Sequence, residues 1–189
     1  MQIHRLQGFL AGLLVAAGMW VSAQTTPAPV VAIPKSDIDA VLNYSGSEGA
    51  GADRQIRVVD LGAYKLGIGI LHRGATRAGA PVGAISHSNV TEVFYFVSGS
   101  GTLVTGGPVE NERPYPPETE FVRLAVGPSR GGVFKGGDRR HVAPGDVVVV
   151  PAGMPHGFDD IGEQLTYLSI RPDVTGVLPA GYVHPVLRR

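Results

Sequence analysis

The chain predicts a single domain built mostly of β-strands, and three observations carry that prediction. It holds 27 glycines and 15 prolines among 189 residues, with 43% hydrophobic residues, a turn-rich composition with enough apolar material for one core. From Arg54 onward apolar residues recur with period two. Short apolar runs such as Val147 to Val150 are bounded by glycine and proline. Sixteen basic and 16 acidic side chains balance, so no charge bias recruits nucleic acid or an anionic membrane surface. A small neutral ligand or a small acid is the more natural partner. Cysteine is absent, which excludes disulfides, thiolate-bound zinc and a thiol nucleophile together.

Taken in order, the chain opens with His4 and Arg5 before an apolar run, Leu6 to Val21, that only Gln7 interrupts. The small residues around Val21, Ser22 and Ala23 follow, so residues 1–23 read as a signal peptide for an exported protein, periplasmic or secreted, with no membrane segment after cleavage. Residues 24–53 read as a tether and N-terminal segment, in which Ser36 to Leu42 makes one short helical turn. Residues 54–175 form the β-domain. In its second strand Tyr64, Leu66, Ile68, Ile70 and His72 share a face, and this apolar stripe is expected to point inward, with His72 near the mouth of the pocket. The other face carries Lys65, Gly67, Gly69, Leu71 and Arg73.

The segment Gly79 to Gly99 combines strand character with chemistry. His87 offers an imidazole nitrogen and Glu92 offers carboxylate oxygens. Period two places Glu92, Phe94 and Phe96 on one face, so that Phe94 and Phe96 either wall an apolar pocket around the carboxylate or belong to the core. A further imidazole, His156, follows the valine run and a Pro-Ala-Gly turn.

These two segments resemble the paired motifs of the cupin superfamily. The first, G-x5-H-x-H-x3-4-E-x6-G, falls on Gly79, Ile85, His87, Glu92 and Gly99. The second, G-x5-P-x-G-x2-H-x3-N, falls on Gly145, Pro151, Gly153, His156 and Asp160. Ile85 stands where the family has its first histidine, and Asp160 where it has asparagine. The resemblance implies an all-β fold, a double-sheet jelly-roll β-barrel. It also implies one divalent metal ion (Fe, Zn, Mn or Ni) held by His87, Glu92 and His156, a homodimer, and a reaction of oxygenase, isomerase, cyclase or lyase type on a small organic molecule. A cup that binds a small ligand without turning it over, with or without metal, is the alternative. Asn89 or Asp160 would accept a ring N–H from a ligand histidine.

Between the motifs, residues 106–142 read as a long insertion. Its stretch PVENERPYPPETE is expected to be an exposed loop, with Tyr115 as a pocket candidate, and Phe121 to Val126 alternates like an edge strand. The glycine-rich run after it lacks the Gly-Lys-Ser/Thr ending of a phosphate loop. His141 is expected at a strand end, more naturally a surface residue than a fourth ligand. Val147 to Val150 reads as a strand buried on both faces. Leu165 to Ile170 is a further strand, and the apolar tail, residues 176–189, is expected to pack on a neighbouring subunit.

Overall fold

The computed structural model describes residues 28–45 and 53–188, so the expected signal peptide lies outside the described residues. One helix, α1 (Lys35–Leu42), precedes eleven strands: β1 (Asp53–Asp60), β2 (Lys65–Gly74), β3 (Gly83–His87), β4 (Glu92–Gly99), β5 (Gly101–Thr105), β6 (Val109–Pro114), β7 (Ser129–Phe134), β8 (Asp138–Val142), β9 (Val147–Val150), β10 (His156–Asp159) and β11 (Gln164–Asp173). They form two antiparallel sheets, ordered β1-β2-β11-β4-β9 and β6-β7-β3-β10-β5-β8. This is the double-sheet barrel. Between the sheets lies a core that includes Leu71, Phe94, Phe96, Leu103, Phe158 and Tyr167. The aromatic rings interlock, with Phe94 and Tyr167 centroids 4.8 Å apart and Phe158 and Tyr167 5.2 Å apart. Each such side chain removed from water contributes on the order of 2–3 kcal/mol.

The second strand has its faces the other way round from the sequence expectation. Ile68 and Ile70 point out of the barrel and pack with Val41, Ile56 and Ile38, so α1 buries the apolar stripe from outside. The inner row is Gly67, Gly69, Leu71 and Arg73. Alternation identifies a buried face without saying what buries it, and here the covering element is a helix that needs its own apolar partner. The glycines face inward because large polar side chains occupy the space above them: a Cβ on Gly67 would lie 2.6 Å from Gln55 Nε2, and one on Gly69 2.8 Å from Arg171 Nη1. His72, on the outer face, bonds through Nδ1 to Thr166 Oγ1 at 2.9 Å.

Four other expectations are corrected. Phe121–Val126 is a π-helical turn rather than an edge strand, and it buries Val122, Ala125 and Val126, which share a face at helical spacing. The exposed stretch before it contains a strand, β6, which forms a hairpin with β7. The valine strand β9 is an edge strand pairing only with β4, so Val147 and Val149 are 61% and 60% exposed and only Val150 is fully covered. The tail folds back on its own barrel: Leu178 is buried with Val58 and Val90, Val183 bridges to Arg57, and Leu187 packs in the α1 cluster.

Candidate metal centre

Three strand ends carry the site. His87 closes β3, Glu92 opens β4 and His156 opens β10, with Ile85 as its register partner on β3. The two motifs are joined directly, because Gly153 donates its backbone N–H to the His87 carbonyl at 2.7 Å. Gly153 adopts φ +79°, a left-handed conformation that side-chain-bearing residues rarely take. On the neighbouring strand of the same sheet, β11 places Ser169 and Arg171 behind Glu92.

His87, Glu92 and His156 are all buried, at 4%, 2% and 3% exposure. Glu92 Oε2 lies 3.3 Å from His87 Nε2 and 3.2 Å from His156 Nε2, and one ligand atom from each residue falls within 4.8 Å of the others. Donors about 2 Å from a common ion sit roughly 3–3.5 Å from one another, so these separations suit one cation.

The hydrogen bonds behind each ligand decide what faces the centre. Ser129 Oγ donates to the Gly127 carbonyl at 2.8 Å and so accepts from His87 Nδ1, also at 2.8 Å. The Met154 carbonyl, which can only accept, lies 3.1 Å from His156 Nδ1. Each imidazole therefore carries its proton on Nδ1 and turns the Nε2 lone pair toward Glu92. Burial pushes the His87 pKa down, which outweighs the opposing pull of Glu92 and favours the neutral ring. Burial opposes ionisation of Glu92; hydrogen bonds from His156 and His87 would favour it only when a ring also carries a proton on Nε2, and with both rings in the Nδ1–H form the charge of Arg171 is what holds the carboxyl well below the usual carboxylate range. With both ring protons on Nδ1, three lone pairs converge between buried side chains, an arrangement that a bound cation relieves. On that ground the residues fit a divalent metal.

The other oxygen of Glu92 is fully engaged. Oε1 accepts from Ser169 Oγ at 2.7 Å and from Arg171 Nε at 3.1 Å. Arg171, completely buried, also donates through Nη1 to Gln55 Oε1 at 2.7 Å and through Nη2 to Asp53. Burial works against its charge, yet Asp53 and Glu92 together raise its pKa above the ordinary arginine value.

The remaining sequence candidates separate cleanly. Phe94 lines the cavity beside the centre, its ring 5.8 Å from that of His156, while Phe96 lies behind it in the core. Tyr115 and Phe121 line the same cavity with rings 5.3 Å apart. Asn89 is half-buried in the turn before β4 and does not line the cavity. Asp160 is exposed at the far end of β10, accepting from Thr102 Oγ1 at 3.0 Å and Arg139 at 2.9 Å. Neither holds a ligand histidine, since both rings sit at the opposite end of their strands from Asp160, and Ser129 and the Met154 carbonyl take that role. His72 lies on the outer face and His141 is exposed on β8, so neither reaches the centre. Sequence reasoning missed Ser129, Ser169, Arg171, Gln55 and Asp53. The one available signal was Arg171 itself, a charge at period two from Ser169 and Tyr167 at the end of an apolar strand.

The cavity in front of the centre has a volume of about 750 Å³ and is walled by His87, Glu92, His156, Phe94, Tyr115 and Phe121 among others. Residues 45–177 match the family described as Cupin. The chain belongs to the cupin family. Solved structures resemble it at low identity: a Bacillus halodurans protein at 13% identity, covering 82% of this chain and 89% of that one, with a TM-score of 0.45. A Klebsiella pneumoniae protein with a double-stranded β-helix domain shares 16% identity over 73% of this cupin and 88% of its own chain, TM-score 0.40. An RmlC-like cupin family protein of Methanocaldococcus jannaschii shares 11% over 69% and 87%, TM-score 0.38. At such identities the likeness concerns the fold alone. No curated protein matches the chain.

Proposed function

We propose that this cupin binds one divalent metal ion through His87 Nε2, Glu92 Oε2 and His156 Nε2 and acts on a small organic molecule in the adjoining cavity. The observation that carries the proposal is the tautomer of the two histidines, fixed by Ser129 and the Met154 carbonyl so that both free lone pairs meet at Glu92. Such an ion, when bound, supplies Lewis acidity to a substrate oxygen. The protein's own contribution is orientation and exclusion of water. Ser129 and Met154 fix the rings, Ser169 and Arg171 fix the carboxylate, and Phe94, Phe121 and Tyr115 wall the substrate space. Ile85, the His156 register partner that also lines the cavity, offers hydrocarbon where the family pattern has a further imidazole. That leaves three protein ligands and open positions for substrate, the donor set of non-haem iron and of catalytic zinc sites.

The proposal extends to the whole chain's setting. The apolar run Leu6 to Val21 supports export to the periplasm or beyond. Exposed Tyr95, Val97, Val147 and Val149 on the outer face of β4 and β9 support pairing of two copies through that sheet.

Elemental analysis of untagged protein reconstituted with iron, zinc, manganese or nickel tests the central claim. One equivalent is expected in the wild-type chain, and loss of nearly all of it in His87→Ala and in His156→Ala. A wild-type chain that takes up none of the four metals would end the proposal.

A further inference from the structure

We infer that the cavity holds an anion subsite built on Arg73, and that its occupant is a small organic carboxylate with an apolar or aromatic body. The inference deepens the reading of the same cavity as a substrate site. It stands on different residues from the metal ligands.

Arg73 belongs to the inner row of β2 and lines the same cavity as His87, Glu92 and His156. Its Nε donates to Tyr167 Oη at 2.8 Å, and its guanidinium carbon lies 5.0 Å from the Phe158 ring centroid and 5.8 Å from that of Tyr167. These contacts set the plane of the guanidinium. They leave both Nη groups without a hydrogen-bond acceptor among the described residues. Arg171 supplies the contrast inside the same barrel, because its Nε, Nη1 and Nη2 are all taken by Glu92, Gln55 and Asp53. The fully buried guanidinium of Arg171 is consumed by the protein, while the half-buried one of Arg73 keeps its forked edge for something else. A charge held in such surroundings without a full set of partners is costly. A carboxylate, with two oxygens at the spacing of the two Nη groups, is its natural complement.

The charges around the cavity point the same way. Arg73 and Arg113 line it with Asp53, Glu92 and Glu120, and Arg171 stands directly behind, so three guanidinium groups cancel three carboxylates. Arg113 and Glu120 are exposed and offset each other in solvent, so a divalent ion at the histidines leaves two positive charges uncompensated among Arg73, Arg171, Asp53 and Glu92, and an anionic occupant relieves them. Leu71, Ile85, Phe94 and Phe158 line the remaining wall, which suits an apolar or ring-shaped body.

Calorimetric titration of the full-length chain with benzoate, and with benzamide as its neutral isostere, tests this. Benzoate is expected to bind the wild-type protein about tenfold or more tightly than benzamide, the worth of a charge-assisted pair of hydrogen bonds. Arg73→Met, which keeps the stem packed over Phe158, abolishes that preference by weakening benzoate binding about tenfold or more, and weakens benzamide binding by no more than the one hydrogen bond its carbonyl accepts. Arg73→Lys, which keeps the charge and loses the fork, retains a reduced preference and serves if the methionine variant does not fold. Each titration is run on chelator-treated and on zinc-loaded protein. Arg73-dependent benzoate binding in the chelated form supports the subsite even if no metal is ever retained. Equal wild-type affinity for benzoate and benzamide in both forms, or benzoate preference undiminished in both variants, overturns the subsite and leaves the metal reading untouched.

Discussion

Glu92 divides the interior of this barrel into two regions that treat charge in opposite ways. Behind it, Oε1 belongs to a closed set in which Ser169, Arg171, Gln55 and Asp53 answer one another's hydrogen bonds. In front, Oε2 meets two imidazole nitrogens whose protons have been assigned elsewhere. Apart from Asp53 Oδ1, which is buried without a hydrogen-bond partner, the rear is satisfied by the protein alone, whereas the front presents a donor set that could hold a cation. The lesson is that the same carboxylate can be a structural counter-ion and a metal ligand at once, provided its two oxygens are kept apart in function.

The harshest way to break this division is Arg171→Met. It leaves Asp53 and Glu92 facing each other without their shared cation, and the expected cost is about 3–5 kcal/mol, the penalty of a buried ion pair stripped of one partner. Denaturant unfolding should show the midpoint falling at unchanged slope. A loss below about 1 kcal/mol would mean that the rear network is not holding Glu92. Ser129→Ala probes the front instead. It frees the Nδ1 proton of His87 without touching a ligand atom, and metal affinity by competition with a chelator should drop roughly 10–100-fold while stability falls by only about 1–2 kcal/mol. Equal effects of the two substitutions on metal affinity and on stability would erase the distinction between the regions.

A third, smaller test lies outside both regions. Asp173, buried at the end of β11, accepts backbone N–H groups of Thr175, Gly176 and Leu178. Burial opposes its charge, but these donors prevail and hold its pKa below the ordinary aspartate value. A carboxyl depressed in the folded state contributes stability that is present above its unfolded pKa, about 4, and is lost as pH falls through the folded value. Asp173→Asn is expected to cost about 1–2 kcal/mol at neutral pH and to flatten the acid limb of the stability curve. An acid limb identical to wild type would remove Asp173 from the account. His72→Ala, by contrast, should leave metal content unchanged and stability within about 0.5 kcal/mol, because its ring sits on the outer face with one hydroxyl partner.

How much of this was legible follows the same line. The three candidate ligands were readable because their spacing to glycines and a proline matches the two cupin motifs: His87 and Glu92 flank one turn, and Gly153 ties the second segment to the first through a backbone bond. The inward row of β4 was readable because Glu92, Phe94 and Phe96 keep strict alternation. The inward row of β2 was not, since its apolar stripe is buried by a helix nearly thirty residues upstream that alternation cannot name. Ser129 and Arg171 were harder to read for a related reason. They reach the site from 42 and 79 residues away through strand pairing; Ser129 sits in no pattern that distinguishes it from any other serine, and the only mark of Arg171 is its place at period two from Ser169 on an apolar strand.

What the sequence determined by itself was a turn-rich antiparallel barrel, the identity of three donor side chains and the absence of any thiol to compete with them. These are properties of composition and of spacing along the chain, which folding does not alter. The tertiary structure alone decided which nitrogen of each histidine faces the cavity, which oxygen of Glu92 is free, and that Arg73 keeps an unspent edge while Arg171 does not. Those are questions of which groups share a proton or a charge across the barrel, and only the register of distant strands can answer them.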